Sequence, residues 1–168
     1  MNAPISLLIP GRGDFPGSSL PVVIYRKALP ADPVAMLRRF AAQGWTNGWT
    51  NGIYDFDHFH SIAHEVLGIA SGWVEVSLGA GAGPTLRLAA GDVIALPAGV
   101  AHRNMGAAAD LLVAGAYDRG RDWDLRRGDP AEAASVRAAM AGVPLPRQDP
   151  VADGPGRLPA LWDDAAGG

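Results

Sequence analysis

Seven short β-prone runs, at 45–50, 53–60, 65–69, 73–78, 85–88, 93–96 and 111–117, follow one another between Trp45 and Asp118. Glycine, proline or asparagine stands between most of them, so the chain has no room for a long helix or a long strand in this region. Many short strands with frequent turns point to a β-sandwich or barrel. Asn51-Gly52 is the strongest tight-turn signal, and 79–84, with three glycines in six residues, is a second connection. The whole chain has 22 glycines and 14 prolines among 168 residues. At ~150 residues per domain, that length is one domain.

The flanks read differently. Residues 1–20 form an arm broken by Pro4, Pro10, Gly11, Gly13, Pro16 and Gly17, and Val22 to Tyr25 is a β-prone run. A helix follows, with Asp32 as N-cap, Pro33 in the first turn and Gly44 just past the end. Val34, Leu37, Phe40 and Ala41 would be its apolar stripe, and Arg38 and Arg39 its solvated side. A second helix opens on Asp129-Pro130 and closes at Gly142, with Val136 and Met140 buried. The tail after Val143 is expected to be an extended strap with a frayed end. The barrel core is thus 45–118, with arm and helix before it and helix and tail after it.

All four histidines fall between positions 58 and 102. His58 and His60 flank Phe59 in a predicted strand, so both imidazoles project from one face together with Tyr54 and Phe56. An unbroken strand would put His64 on that face too and turn Glu65 away. A turn at 61–63 would reset the parity and let Glu65 face the histidines. His102 follows the Pro97-Ala98-Gly99 turn and sits at a strand start. Three imidazoles and one carboxylate suit a borderline divalent ion: Fe, Mn, Ni, Co, Cu or Zn. With no cysteine in the chain, thiolate ligands, disulfides and cysteine nucleophiles are excluded.

These residues resemble the two motifs of the cupin superfamily. Gly52, His58, His60, Glu65 and Gly72 match every spacing of the first motif. Gly91, Pro97, Gly99 and His102 match the second, but Gly106 stands where its asparagine is expected. Asn104, two residues after His102, offers a polar group instead. The wider text is similar to the YjlB-like bacterial branch, through residues 20–25, 44–47, 58–61, 64–68 and 122–124. The resemblance implies an all-β fold, a small antiparallel double-stranded β-helix (an RmlC-like jelly roll) with two short flanking helices, holding one divalent metal ion. The implied ligands are His58, His60, Glu65 and His102, with His64 as the alternative. Glu65, Tyr54 and Asn104 are the candidate catalytic side chains. The branch carries no assigned reaction, so the expected activity is dioxygenase- or isomerase-like on a small organic acid, sugar or phenolic. A non-catalytic binding or sensor role and a metal-free epimerase are the alternatives.

Trp45, Trp49, Tyr54 and Phe56 either line a substrate mouth or belong to the core. Arg87 and Arg103 suit an anionic substrate, but Arg103 should face away from His102. Asp122 to Asp124 and Arg126-Arg127 read as a solvated loop. A formal net charge of -3 without a basic cluster argues against nucleic acid, and no apolar run reaches the ~20 residues of a membrane span. With no basic leader before 5–9, no secretory signal is expected, and the expectation is a cytoplasmic protein. An arm carrying a β-run before the barrel suggests a homodimer in which that run pairs with a neighbour's sheet edge.

Overall fold

The computed structural model describes residues 2–168. Nine strands form two sheets. They are β1 (Ile5–Leu7), β2 (Val22–Tyr25), β3 (Trp45–Asn51), β4 (Glu65–Ser71), β5 (Trp73–Leu78), β6 (Thr85–Ala89), β7 (Val93–Leu96), β8 (His102–Ala107) and β9 (Leu112–Asp118). The large sheet runs β1-β2-β7-β4-β9-β3 and the small one β6-β5-β8. Every pairing is antiparallel. The two antiparallel sheets are the sandwich expected from the punctuation of the sequence, and their arrangement is consistent with the jelly roll that the family resemblance implies.

Alternation along the strands assigns the large sheet two jobs. Leu67, Ile69, Ile94, Leu96 and Val113 face the small sheet, where Val74, Val76, Leu78 and Leu88 meet them. Val66, Ala70, Val93, Ala95, Ala114 and Ala116 face the other way, into a second core covered by helices. The first helix, α1 (Pro33–Ala42), begins with the Asp32 carboxylate accepting from the Ala35 N–H at 2.7 Å, and Gly44 follows it at φ +80. Its buried residues are Met36 and Phe40, with Leu37 beside them, whereas Val34 and Ala41 are exposed. The stripe is therefore rotated from the expected one, because Gly68 of β4 leaves the hollow into which Met36 and Phe40 fit. A Cβ there would lie 2.8 Å from the Met36 sulfur.

The second helix, α2 (Ala133–Ala141), is led in by a 3-10 turn capped by Asp129, and it buries Val136. The expected frayed end is instead a third helix, α3 (Leu158–Gly167). Leu158, Leu161, Trp162 and Ala165 recur at i, i+3, i+4 and i+7, and this stripe packs on the outer face of the large sheet. Trp162 is fully buried, and its indole N–H donates to the Pro21 carbonyl at 2.8 Å. The loop before α3 is pinned by the buried Asp149, which accepts from the Tyr25 hydroxyl at 2.8 Å and from the N–H groups of Val151, Ala152, Arg157 and Leu158.

Three further expectations are corrected. Residues 53–60 do not form a strand: His58 makes a single bridge to His102, and Phe59 a single bridge to Arg126. Asp55 and Asp57, poor strand residues, interrupt the run. Asn51-Gly52 ends β3 without making a hairpin, since β3 pairs with β9 and not with the residues that follow it. The β-run Val22–Tyr25 is already paired on both sides within its own chain, by β1 and β7, so it is not free to dock on a neighbour.

Candidate metal centre

Phe59 turns outward into a small cluster with Ala101 and Val136. That anchors the segment so that His58 and His60, one residue to either side, both point between the sheets. The chain then bends at Ser61 and Ile62, and β4 starts at Glu65 with its side chain facing the same space. The parity reset is thus what occurs. His102 opens β8 opposite, held by reciprocal backbone hydrogen bonds with His58 at 3.3 and 2.9 Å.

The three imidazoles are buried, and their potential ligand atoms all lie within 4.8 Å of one another. The Glu65 carboxylate oxygen Oε1 lies 3.4 Å from His60 Nε2 and 3.3 Å from His102 Nε2. Each ring is fixed from behind: His58 Nδ1 donates to the Phe56 carbonyl at 2.9 Å, His60 Nδ1 to that of Asp124, and His102 Nδ1 to that of Val100 at 3.1 Å. A carbonyl can only accept, so Nδ1 carries the proton and Nε2 presents its lone pair inward. This is the tautomer a histidine ligand needs, with its orienting partner already in place. Burial, followed by the neighbouring His102, pushes His58 down to about 3. Burial also opposes ionisation of His60 and Glu65, but their mutual attraction outweighs it. His60 is raised and Glu65 is held well below the usual carboxylate range.

His64 is not part of this group. It points to the helical side of the sheet, its Nδ1 accepting from the Ala98 N–H at 2.9 Å and its ring meeting Trp162 edge-on at 4.8 Å between centroids. Burial pushes it down to about 4. Asn104 is not brought into the cavity either. A bulge separates it from Gly106 in β8, and its side-chain oxygen accepts from the Gly106 N–H at 2.9 Å.

The cavity above the histidines holds about 380 Å³. Tyr54 lines its mouth, 48% exposed, stacked on Phe56 and edge-on to His58. Trp49 lies flat on Gly115, where a Cβ would meet the indole at 2.2 Å, and its N–H donates to the Tyr117 hydroxyl at 3.0 Å. Burial, then the adjacent Glu65, raises Tyr117 above the ordinary phenol range. Its hydroxyl therefore keeps its proton beside the carboxylate. Trp45 is plain core on the helical side.

The expected solvated loop at 122–124 turns out to be a wall of the site. Trp123 packs edge-on to His60 at 5.5 Å and near-parallel to Tyr117. The Asp124 carboxylate accepts from Ser61 and Arg126, tying this loop to the histidine segment. Only the tryptophan itself, placed between two acids, hinted at this role. Arg87 pairs with Glu75 and lies over Trp73, and neither it nor Arg103 lines the cavity.

No protein-family model matches the chain. It is 30% identical over 154 residues to the "Uncharacterized protein YjlB" of Bacillus subtilis, covering 92% of this chain and 90% of that protein. Among solved structures it is similar to acireductone dioxygenase from Bacillus anthracis with a cadmium ion in its active centre (18% identity, TM-score 0.38, 52% of this chain and 59% of that one). It is also similar to a point mutant of Bacillus subtilis oxalate decarboxylase OxdC (17% identity, TM-score 0.39, 75% of this chain and 30% of that one). A third is a cupin 2 domain-containing protein from Halorhodospira halophila (15% identity, TM-score 0.31, 74% of this chain and 68% of that one). The chain therefore spans about three-fifths of the dioxygenase and under a third of the decarboxylase.

Proposed function

The chain belongs to the YjlB family of cupins, and from that premise we propose that it is a metal-dependent enzyme acting on a small molecule in the cavity between its sheets. His58, His60, Glu65 and His102 hold one divalent ion. The observation that carries this reading is the contact of Glu65 Oε1 with two imidazole nitrogens whose lone pairs face it. Acceptors packed against acceptors need a cation or an extra proton between them, and a divalent ion satisfies all four side chains at once. A bound ion of this kind supplies a Lewis acid that polarises a carbonyl or enolate oxygen, as oxygenolytic cleavage and isomerisation both require.

The chain's own residues do the rest. The carbonyls of Phe56, Val100 and Asp124 keep the three rings in register. Tyr117 stands beside Glu65 as a protonated phenol, held by Trp49. Trp49, Tyr54 and Trp123 line the opening and would narrow it around a bound molecule, which strengthens the field inside. Tyr54 and Glu65 are the groups placed to hold or move a proton on a bound molecule.

The test is metal content per chain by mass spectrometry, on untagged protein purified without chelator or added metal. About one Fe, Mn, Ni, Co, Cu or Zn per chain is expected, with turnover of a small acid, sugar or phenolic lost on stripping and restored on reloading. Metal that affects only thermal stability would assign the chain to the binding or sensor class. A chain that refuses metal even after soaking would sink the proposal.

The same reading takes the protein as a cytoplasmic homodimer; no described helix is long and apolar enough to cross a membrane. β1 is an edge strand with Ile5 and, just beyond it, Leu8 exposed at 44% and 65%, and a second copy would cover them. Light scattering at micromolar concentration is expected to give twice the chain mass, and a monomer mass would remove this part.

A further inference from the structure

The walls of the cavity say what kind of molecule it takes. Trp49, Tyr54, Tyr117 and Trp123 supply flat apolar surface, and Thr50 and Asn51 supply uncharged hydrogen-bonding groups. Two of the aromatics flank the mouth half-exposed: Tyr54 on the His58 side, and Trp123, 43% exposed, on the His60 side. No lysine or arginine lines the cavity among the described residues. Arg103, next to His102, does not line the cavity, and three other nearby guanidinium groups are committed elsewhere. Arg121 donates to the Ile62 carbonyl, Arg126 binds Asp124 and Glu132, and Arg127 lies over the Phe56 ring at 4.0 Å.

The charge balance narrows the choice further. A divalent ion held by three imidazole nitrogens and one carboxylate would leave a single positive charge on the centre. A ligand with one negative charge neutralises it. A dicarboxylate, a tricarboxylate or a phosphate would bring at least one more charge into a buried site that offers no counter-ion. We propose that the ligand of this cavity is a hydroxylated aromatic ring that binds as a monoanion, its hydroxyl oxygens toward the histidines and its face against Trp123 or Tyr54. This deepens the metal-dependent reading and rests on it for the charge argument, whereas the aromatic walls require no ion.

The experiment is isothermal titration under nitrogen with four probes: catechol, malonate, citrate and inorganic phosphate. It is run on the chain as purified and after metal loading, with metal content measured on each sample. Catechol is expected to bind at least about 10-fold more tightly than any of the three polyanions. Trp123→Ala and Tyr54→Ala are each expected to weaken catechol by up to about 10-fold while retaining metal as the parent does, since an aromatic contact contributes roughly that factor. Both side chains are half-exposed, so truncation leaves no buried void. Tighter binding of malonate, citrate or phosphate would overturn the inference, and so would catechol affinity unchanged in both variants. If the chain holds no metal yet keeps the ring preference, the metal reading fails and the aromatic one stands. If it holds metal without the preference, the reverse is true.

Discussion

Replacing His102 with alanine is expected to weaken metal retention by on the order of 100-fold or more. Loss of a group that merely orients a ligand typically costs 10–100-fold, and His102 is both a ligand candidate and the backbone partner of His58. The measurement is the metal remaining per chain after dialysis against a competing chelator, with circular dichroism to confirm that the fold persists. Glu65→Gln should lower retention as well, because the amide keeps the shape but removes the charge that faces His60 and His102. His64→Ala is the contrasting variant. Its ring lies on the far side of the sheet against Trp162, so metal content should match the parent. Retention lost in His64→Ala and kept in Glu65→Gln would reverse the assignment of the fourth ligand.

Trp162→Ala is expected to cost about 3–5 kcal/mol of stability, the usual range for deleting a large buried aromatic. The indole is fully buried in the helical core, and its removal also leaves the Pro21 carbonyl without its donor. Urea denaturation gives the number directly. Trp162→Phe should recover much of the loss by refilling the volume, though not the hydrogen bond. A cost below about 1 kcal/mol for the alanine variant would mean that α3 is an ornament on the sheet and not part of its core.

The grouping of His58, His60 and His102 was legible in the sequence: the first two are two residues apart and the third follows a Pro-x-Gly turn, so chain geometry over a few residues aims them. The choice of Glu65 over His64 was not, because it depends on the bend at 61–62, which the spacing leaves open. Most strand positions were legible too, from β-prone runs between turn residues, but 53–60 forms no strand and β8 was not among the runs. The surroundings of Asn104 could not be read from spacing, because a bulge one residue later changes what its amide meets, and a bulge leaves no mark in residue spacing. The helix at Leu158–Gly167 was hidden by five prolines in the tail, although its apolar stripe was there to be counted. Trp123 could be singled out in the sequence only as a tryptophan between two acids, not placed at the site. Its role arises from Asp124 gripping Ser61, a contact between segments 63 residues apart.

The order in which strands meet has a consequence for how the protein is made. β2 has only the edge strand β1 beside it until β7 arrives, and β3 has no strand partner until β9, while roughly 60 to 70 further residues emerge. The face that α3 covers waits longer still, since that helix is synthesised after every strand. During vectorial synthesis the nascent chain therefore exposes part of the Val23, Val66 and Ala95 face, which α1 alone covers until α3 arrives. Such delayed, long-range closure makes for slow folding and a period of aggregation risk. The yield of folded protein in a cell should thus depend on how quickly α3 leaves the ribosome and on the chaperones that hold the sheet until it does.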